Sequence, residues 1–287
     1  MSTFYEKYSS LRSSKQSLLC VGLDPDPERI PEGYDTGDIS ADLHSFLADV
    51  VDATADLAVA YKPNLAFYEA LGSRGWSLLE RLIGTIRDRA PGTLIIADAK
   101  RGDVGNTARF YARAFFETLA CDALTVNAYP GLDTLEPYQA YRNQAIMVLG
   151  YTSNPGASLF LEQGNPPLFM QLARAIARAN ETSRNLWLVV GATVPGARIK
   201  EIRSVAGQVP FLVPGVGAQG GNLDTVLTNA GSEILINAGR DLLYATNSRD
   251  RVHAEVSRVA RAMAGEIRKR AAIVDPRNFP LRADDPS

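Results

Sequence analysis

Short apolar runs alternate along the chain with stretches of helical periodicity. Eight of these runs have the length and continuity of buried strands, at residues 18–23, 57–61, 94–97, 123–126, 145–149, 186–190, 211–213 and 233–236. Strands that are apolar on both faces are typical of parallel sheets. The eightfold alternation therefore favours an α/β fold, a closed (β/α)8 or TIM barrel. An open doubly wound sheet remains the alternative.

The organisation of the chain indicates one domain. No linker separates two halves, so we expect a single barrel over residues 1–287 with its core at about 18–272. Ser40 is the predicted N-cap of a helix that follows the first long loop. Residues 275–287 are polar and contain proline, and we expect this tail to be loose.

Composition narrows the classes of function. The 287 residues are 46% hydrophobic and 22% charged with a formal net charge of −2, so no broad basic field is expected to bind nucleic acid or an anionic membrane. No apolar run approaches the roughly 20 residues of a membrane span, which predicts a cytoplasmic protein. Cys20 and Cys121 lie in apolar contexts typical of buried thiols. The two histidines, His44 and His253, form no zinc-binding cluster with them.

Charged residues gather where two neighbouring strands end. Lys62 ends the second strand, and Asp98, Lys100 and Asp103 end or follow the third. Side chains alternate along a strand, so Asp98 and Lys100 are predicted to share a face. A lysine flanked by carboxylates stays protonated, which suits a proton donor better than a Schiff-base nucleophile. The alternative is a structural salt-bridge network at the barrel mouth.

Glycine-rich turns follow the last two strands, where barrels often bind phosphate. The glycines after strand seven are Gly215, Gly217, Gly220 and Gly221. Glycine lets backbone N–H groups approach an anion closely, and Arg240 after strand eight can bind phosphate through two hydrogen bonds. Asp24 follows strand one and could bind a hydroxyl-rich ligand. The alternative is that the glycines make tight turns, Arg240 lies on the surface and Asp24 caps a turn.

Residues 98–103 read D-A-K-R-G-D, which resembles the D-x-K-x-x-D signature of orotidine 5′-phosphate decarboxylases and their relatives. The longer form, through Thr107, resembles a branch with many bacterial members. Further segments match the family's loops in order across residues 18–272; they lie at 21–24, 61–64, 153–156, 214–221 and 239–240. The chain has extra length at 25–38, at 153–167 and in the tail, as in the longer bacterial subgroup.

The resemblance implies decarboxylation of orotidine 5′-monophosphate to uridine 5′-monophosphate, without a metal or an organic cofactor. It implies that Lys100 protonates the carbanion at C6 and that Asp98 lies against the substrate carboxylate. It also implies that Asp103 and Thr107 reach the active site of a partner subunit, and hence a homodimer with shared sites.

The remaining family positions would hold the substrate. By resemblance, Asp24 and Lys62 contact the ribose hydroxyls, and Ser153 contacts the pyrimidine. Gln219 and Arg240 hold the phosphate beside Gly220, and the glycine-rich loop is the candidate lid.

Two other functions remain open on the same barrel. Metal-dependent relatives, such as 3-keto-gulonate 6-phosphate decarboxylase or hexulose phosphate synthase, carry a metal-binding acid after strand two, where this chain has Lys62. A barrel without catalytic activity that binds nucleotides or protein partners is the other alternative. The intact Asp98, Lys100 and Asp103 argue against it.

Overall fold

The computed structural model describes residues 2–217 and 220–279. Within these ranges, eight parallel strands close into a barrel in sequence order, and β1 pairs with both β2 and β8. The predicted (β/α)8 barrel is therefore confirmed. The strands are β1 Leu19–Gly22, β2 Ala60–Lys62, β3 Leu94–Arg101, β4 Ala123–Val126, β5 Ala145–Tyr151, β6 Leu186–Val190, β7 Phe211–Pro214 and β8 Ile234–Ala238.

Helices cover the outside of the barrel and present apolar faces to it. In α4, for example, Leu78, Leu82 and Ile86 recur at intervals of four residues and are buried, as an amphipathic helix requires. The α-helices of the described residues are α1 Phe4–Lys15, α2 Ile39–Thr54, α3 Leu65–Glu69, α4 Ser73–Arg89, α5 Gly105–Arg113, α6 Glu136–Gln139, α7 Ser158–Leu161, α8 Leu168–Ser183, α9 Gly196–Ala206, α10 Leu223–Ala230, α11 Arg240–Leu243 and α12 Arg249–Val274.

The first turn of α2 differs from the prediction. Asp38, not Ser40, is its N-cap: the Asp38 side chain accepts hydrogen bonds from the backbone N–H groups of Ser40 and Ala41. Aspartate and serine are both favoured at the N-cap position. The carboxylate also adds negative charge at the positive end of the helix. Ser40 lies inside the helix, so the predicted cap is wrong by two residues.

Helix α1 packs across the amino-terminal end of the barrel. Phe4 and Tyr8 meet the Trp187 ring edge-on, with centroids 5.3 and 5.0 Å away. The Tyr8 hydroxyl also donates to the Ile234 carbonyl at 2.8 Å. Because this end is closed by packed aromatic rings, the opposite end is the open one, where the strands end in polar residues.

The start of the predicted loose tail is packed against the barrel. Phe279 is fully buried, and the Arg12 guanidinium lies 5.0 Å from its ring centroid. Asp275 pairs with Arg12 at 3.3 Å. Burying a phenylalanine contributes about 1.5–3 kcal/mol, so a loose tail is wrong for residues 275–279. Residues 280–287 lie outside the described part.

No helix in the described part of the chain is long and apolar enough to span a bilayer. Cys20 and Cys121 are both buried and both free thiols, as their apolar contexts predict.

Candidate active site

Three charged side chains meet at the carboxyl ends of β2 and β3. The Lys62 ammonium lies 2.7 Å from Asp98 Oδ2, and the Lys100 ammonium lies 2.8 Å from Asp98 Oδ1. The predicted approach of Lys62, Asp98 and Lys100 is therefore observed, and we call these residues the charged array. One carboxylate thus holds two ammonium groups, one on each oxygen.

Exposure divides the array into a buried part and an open part. The side chains of Lys62 and Asp98 are 3% and 12% exposed, whereas that of Lys100 is 48% exposed. Lys100 is therefore the member of the array that a ligand in the barrel mouth can reach, while Lys62 supports Asp98 from below.

Lys62 and Asp98 stay ionised because neighbouring opposite charges stabilise their charged forms. Burial opposes the charged form of Lys62, but the carboxylates of Asp98 and Asp24 outweigh it, and the pKa of Lys62 is raised above its ordinary value. Burial likewise opposes the charged form of Asp98. The ammonium groups of Lys62 and Lys100 overcome this and bring the pKa of Asp98 below its usual range. Opposite charges in a poorly hydrated site have this effect.

Asp24 lies beside the array, at the end of β1. Its Oδ1 accepts a hydrogen bond from the backbone N–H of Asn64 at 3.1 Å, which orients the carboxylate. Burial raises the pKa of Asp24 more than the nearby Lys62 lowers it. Asp24 therefore provides a partly desolvated acceptor next to Lys62, an arrangement suited to binding hydroxyl groups.

The backbone at Lys100 departs from a regular strand. Its φ is 49°, in the left-handed region that residues other than glycine seldom occupy. The β3–β4 register also shifts between Ala97 and Arg101. Asp98 and Lys100 do lie together, as predicted. The regular alternation of side chains along a strand does not explain it, because the backbone between them is irregular.

Thr125 on β4, which was not among the residues predicted from the sequence, contacts both Asp98 and Lys100. The Thr125 hydroxyl donates to Asp98 Oδ1 at 2.9 Å and accepts from the Lys100 backbone N–H at 2.9 Å. Its signal in the sequence is slight: one hydroxyl residue in the apolar run of β4.

Arg101, the last residue of β3, and Gly102, which follows it, both contact neighbouring elements. Arg101 forms an ion pair with Glu69 on α3, and its guanidinium lies 5.5 Å from the Tyr111 ring centroid. Gly102 passes so close to Asn127 that a Cβ would lie 2.6 Å from the Asn127 side-chain oxygen. The close approach of Asn127 therefore explains why residue 102 of the D-A-K-R-G-D motif is glycine.

Asp103 and Thr107 lie apart from the array. Asp103 is half-buried and Thr107 is exposed, and Asp103 Oδ1 accepts from the Val104 backbone N–H at 2.8 Å. Within the described residues, no ion pair joins Asp103 to Lys62 or Lys100. The four-charge array suggested by the sequence is therefore a three-charge array within a single chain.

The loops after β7 and β8 lie on the other side of the mouth. Gly215 has a φ of +95°, and a Cβ on Gly221 would lie 2.5 Å from the Gly215 carbonyl oxygen, so this turn requires small residues. Arg240 is exposed at the start of α11. Gly239 approaches Asp24, with 3.8 Å between a built Cβ and Asp24 Oδ2. The predicted ribose and phosphate positions are thus neighbours.

Three other predicted ligand positions have different outcomes. Gly220 is exposed with a φ of +78°, and its N–H donates to the Gly217 carbonyl at 2.6 Å. Gln219 lies outside the described residues. Ser153 is half-buried after β5, and its carbonyl accepts from the Thr193 hydroxyl at 3.0 Å.

The described residues offer no cluster of metal ligands. Across residues 2–217 and 220–279, no group of three or more His, Cys, Asp or Glu side chains could hold a metal ion. Lys62 is the last residue of β2, and its ammonium would repel a cation.

Known proteins are similar to this chain in sequence and in fold. The sequence model described as "Orotidine 5'-phosphate decarboxylase / HUMPS family" matches residues 17–254. An orotidine 5′-phosphate decarboxylase of Herpetosiphon aurantiacus is 43% identical, covering 85% of this chain and 90% of its own. One from Azoarcus sp. is 45% identical, covering 82% and 88%. The structure of Leishmania donovani OMP decarboxylase superposes with a TM-score of 0.79 at 32% identity, covering 94% of this chain and 98% of its own. The chain belongs to the orotidine 5′-phosphate decarboxylase / HUMPS family.

Proposed function

We propose that the charged array carries out the reaction of this chain, the decarboxylation of orotidine 5′-monophosphate to uridine 5′-monophosphate in pyrimidine biosynthesis. One observation carries the assignment of residues. The Lys100 ammonium is held 2.8 Å from Asp98 at the open end of the array. It is the charged group that substrate entering the barrel would meet.

The chemistry requires a fixed positive charge. When the bond between C6 and the carboxylate breaks, CO2 leaves and the electron pair stays on C6. The Lys100 ammonium stabilises that negative charge more in the transition state than in the ground state. It then donates a proton to C6 and is left as an amine, which regains a proton from water. Asp98 pairs with the Lys100 ammonium and lies where the substrate carboxylate would approach.

The surrounding residues bind the substrate. Asp24 and Lys62 hold the ribose hydroxyls, which fits a desolvated carboxylate next to a buried ammonium. Ser153 contacts the pyrimidine. Gln219 and Arg240 hold the phosphate, which lies beside Gly220. Phosphate contacts far from C6 supply binding energy that orients the base over Lys100.

Asp103 and Thr107 complete the site of a second copy. In its own chain the Asp103 carboxylate forms no ion pair with the array, while exposed apolar residues flank it on the same segment: Val104 is 56% and Phe110 59% exposed. Such exposure marks an interaction surface. We therefore infer a homodimer in which each Asp103 contributes to the partner's site.

A second surface with exposed apolar residues is a groove that follows β4 and β5. It has a volume of about 580 Å³ and is lined by Tyr129, Phe160 and Leu168 among others. Tyr129 and Phe160 are 96% and 71% exposed. We assign the groove to the same interface, where burial would remove these rings from water.

The alternatives are less well supported. A metal-dependent sugar-phosphate decarboxylase or aldolase would need an acid where Lys62 pairs with Asp98. A barrel that only binds nucleotides would not need the ammonium of Lys100 beside a carboxylate. We further propose that the protein acts in the cytoplasm on this small substrate, and not on nucleic acid or a membrane, in keeping with a net charge of −2.

The test is release of CO2 from orotidine 5′-monophosphate in excess EDTA. We expect full activity, equal to that measured without chelator and with added Mg²⁺. Activity that is lost in EDTA and restored by Mg²⁺ would instead support the metal-dependent alternative. A protein that binds the nucleotide and releases no CO2 would support the non-catalytic one.

A further inference from the structure

We propose that Thr125 is a positioning residue for the reaction, because its side chain holds Asp98 and Lys100 in their working geometry. This inference rests on the proposed roles of those two residues. It concerns a residue on β4 that need not touch the substrate.

The register of the sheet creates the need for such a residue. Ala97 lies opposite Leu124, and Arg101 lies opposite Val126. Three residues of β3 therefore span the place where β4 has only Thr125. This is a bulge, which interrupts the ladder and re-aims side chains.

The Thr125 side chain replaces the missing ladder contact. Its hydroxyl oxygen accepts from the Lys100 N–H at 2.9 Å, so the hydroxyl proton is free to be donated to Asp98 Oδ1, 2.9 Å away. Thr125 is 1% exposed, and water does not readily substitute for it. One hydroxyl thus joins the first and last residues of the bulge.

This contact also bears on the strained backbone of Lys100. A lysine with a φ of +49° keeps that conformation only where its surroundings impose it. Thr125 holds the N–H of Lys100, and the Asn127 side-chain amide donates to the Lys100 carbonyl at 3.1 Å. Both peptide groups of Lys100 are therefore fixed, one from β4 and one from the residue that follows it.

The direction of the Thr125 hydroxyl determines the geometry of the carboxylate. Asp98 Oδ1 receives the Thr125 hydroxyl and the Lys100 ammonium, while Oδ2 receives Lys62. Without the hydroxyl, Asp98 is held only by the two lysine side chains, so its carboxylate can shift and carry Lys100 with it. Misplacing a catalytic group by about 1 Å costs on the order of 100-fold in rate.

The experiment compares Thr125→Val, Thr125→Ser and Thr125→Ala with the parent. Valine matches threonine in shape but lacks the hydroxyl, so we expect kcat to fall by about 100-fold while KM stays close to the parent value, because the phosphate and ribose contacts are intact. Serine keeps the hydroxyl and should restore most of kcat. Thr54→Val is the matched control: Thr54 is also fully buried and hydrogen-bonded but lies on α2, so its kcat should not change.

Each outcome decides the question. Parent-like kcat in Thr125→Val overturns the proposal, as does equal loss in the serine variant, which would indicate a packing role. If Thr125→Val fails to fold, Thr125→Ala decides on the same criterion. Lys100→Ala is assayed in parallel. An active Lys100→Ala protein would refute the proposed function, whereas an inactive one beside a parent-like Thr125→Val would refute only the role of Thr125.

Discussion

Lys62→Met tests whether the buried half of the charged array stabilises the fold as well as the reaction. Methionine retains the length of the side chain and removes its charge. Asp98, only 12% exposed, would then lose the ammonium 2.7 Å from Oδ2 and keep the contacts of Lys100 and Thr125 to Oδ1.

The expected loss in the free energy of unfolding follows from the burial of the ion pair. Removing one partner of a buried ion pair costs about 3–5 kcal/mol, and the two surviving contacts place this case at the lower end, about 3 kcal/mol. A chain of 287 residues has an unfolding entropy of about 0.6 kcal/mol/K. The melting temperature should therefore fall by about 5 °C.

Equilibrium unfolding in urea and calorimetry would measure both quantities. Arg261→Met is the matched control. Arg261 pairs with Asp56 at 2.7 Å, but both side chains are more than half exposed, so the loss should be under about 1 kcal/mol. If Lys62→Met lost no more free energy of unfolding than Arg261→Met, the buried ion pair would not stabilise the fold as argued.

A double-mutant cycle isolates the pair. Asp98→Asn alone leaves the Lys62 ammonium buried without its carboxylate, whereas Lys62→Met with Asp98→Asn removes both charges. We expect the double variant to lose less free energy of unfolding than the sum of the single losses. Strict additivity would show that the two groups do not stabilise each other.

Further predictions concern the reaction, the dimer and pH. Lys100→Ala should abolish turnover while binding of uridine 5′-monophosphate, measured by calorimetry, persists; near-normal turnover would contradict its role as proton donor. Lys100→Ala mixed with Asp103→Ala should regain part of the activity, since exchanged subunits form one intact site; no recovery, with exchange demonstrated by mass, would contradict the shared site. Phe160→Glu should shift the protein towards monomer in analytical ultracentrifugation, because a charge would be buried in the interface. Because the pKa of Asp98 is lowered on folding, its stabilisation is present above the unfolded value of about 3.9 and is lost as pH falls below it. The stability difference between the parent and Asp98→Asn in urea should accordingly shrink on acidification from pH 7 to about 3, and a constant difference would count against the ion pairs.

Much of the fold could be predicted because it rests on local patterns. Parallel strands buried on both faces must be continuously apolar, so the run at β4 was located to the residue, at Ala123–Val126. The carboxyl ends of such strands converge at one face of the barrel. For this reason the approach of Lys62 to Asp98 could be predicted although 36 residues separate them.

Local patterns were less informative where several residues compete for one role. Asp38 and Ser40 both suit an N-cap, and only the path of the chain decides between them. Likewise, Phe279 follows a polar stretch, yet it is buried because Arg12 and Asp275 bring the end of the chain onto α1. Sequence alone does not reveal which surface an isolated aromatic residue will meet.

The sequence by itself determined the barrel, its working face and the identity of the charged residues there, because strand periodicity and polar strand ends are read within a few residues. Only the tertiary structure decided how those charges are arranged. Asp103 lies apart from the array of its own chain. The bulge opposite Thr125 and the left-handed backbone of Lys100 arise from the pairing of β3 with β4. That pairing depends on contacts between segments distant in sequence, which no local pattern encodes.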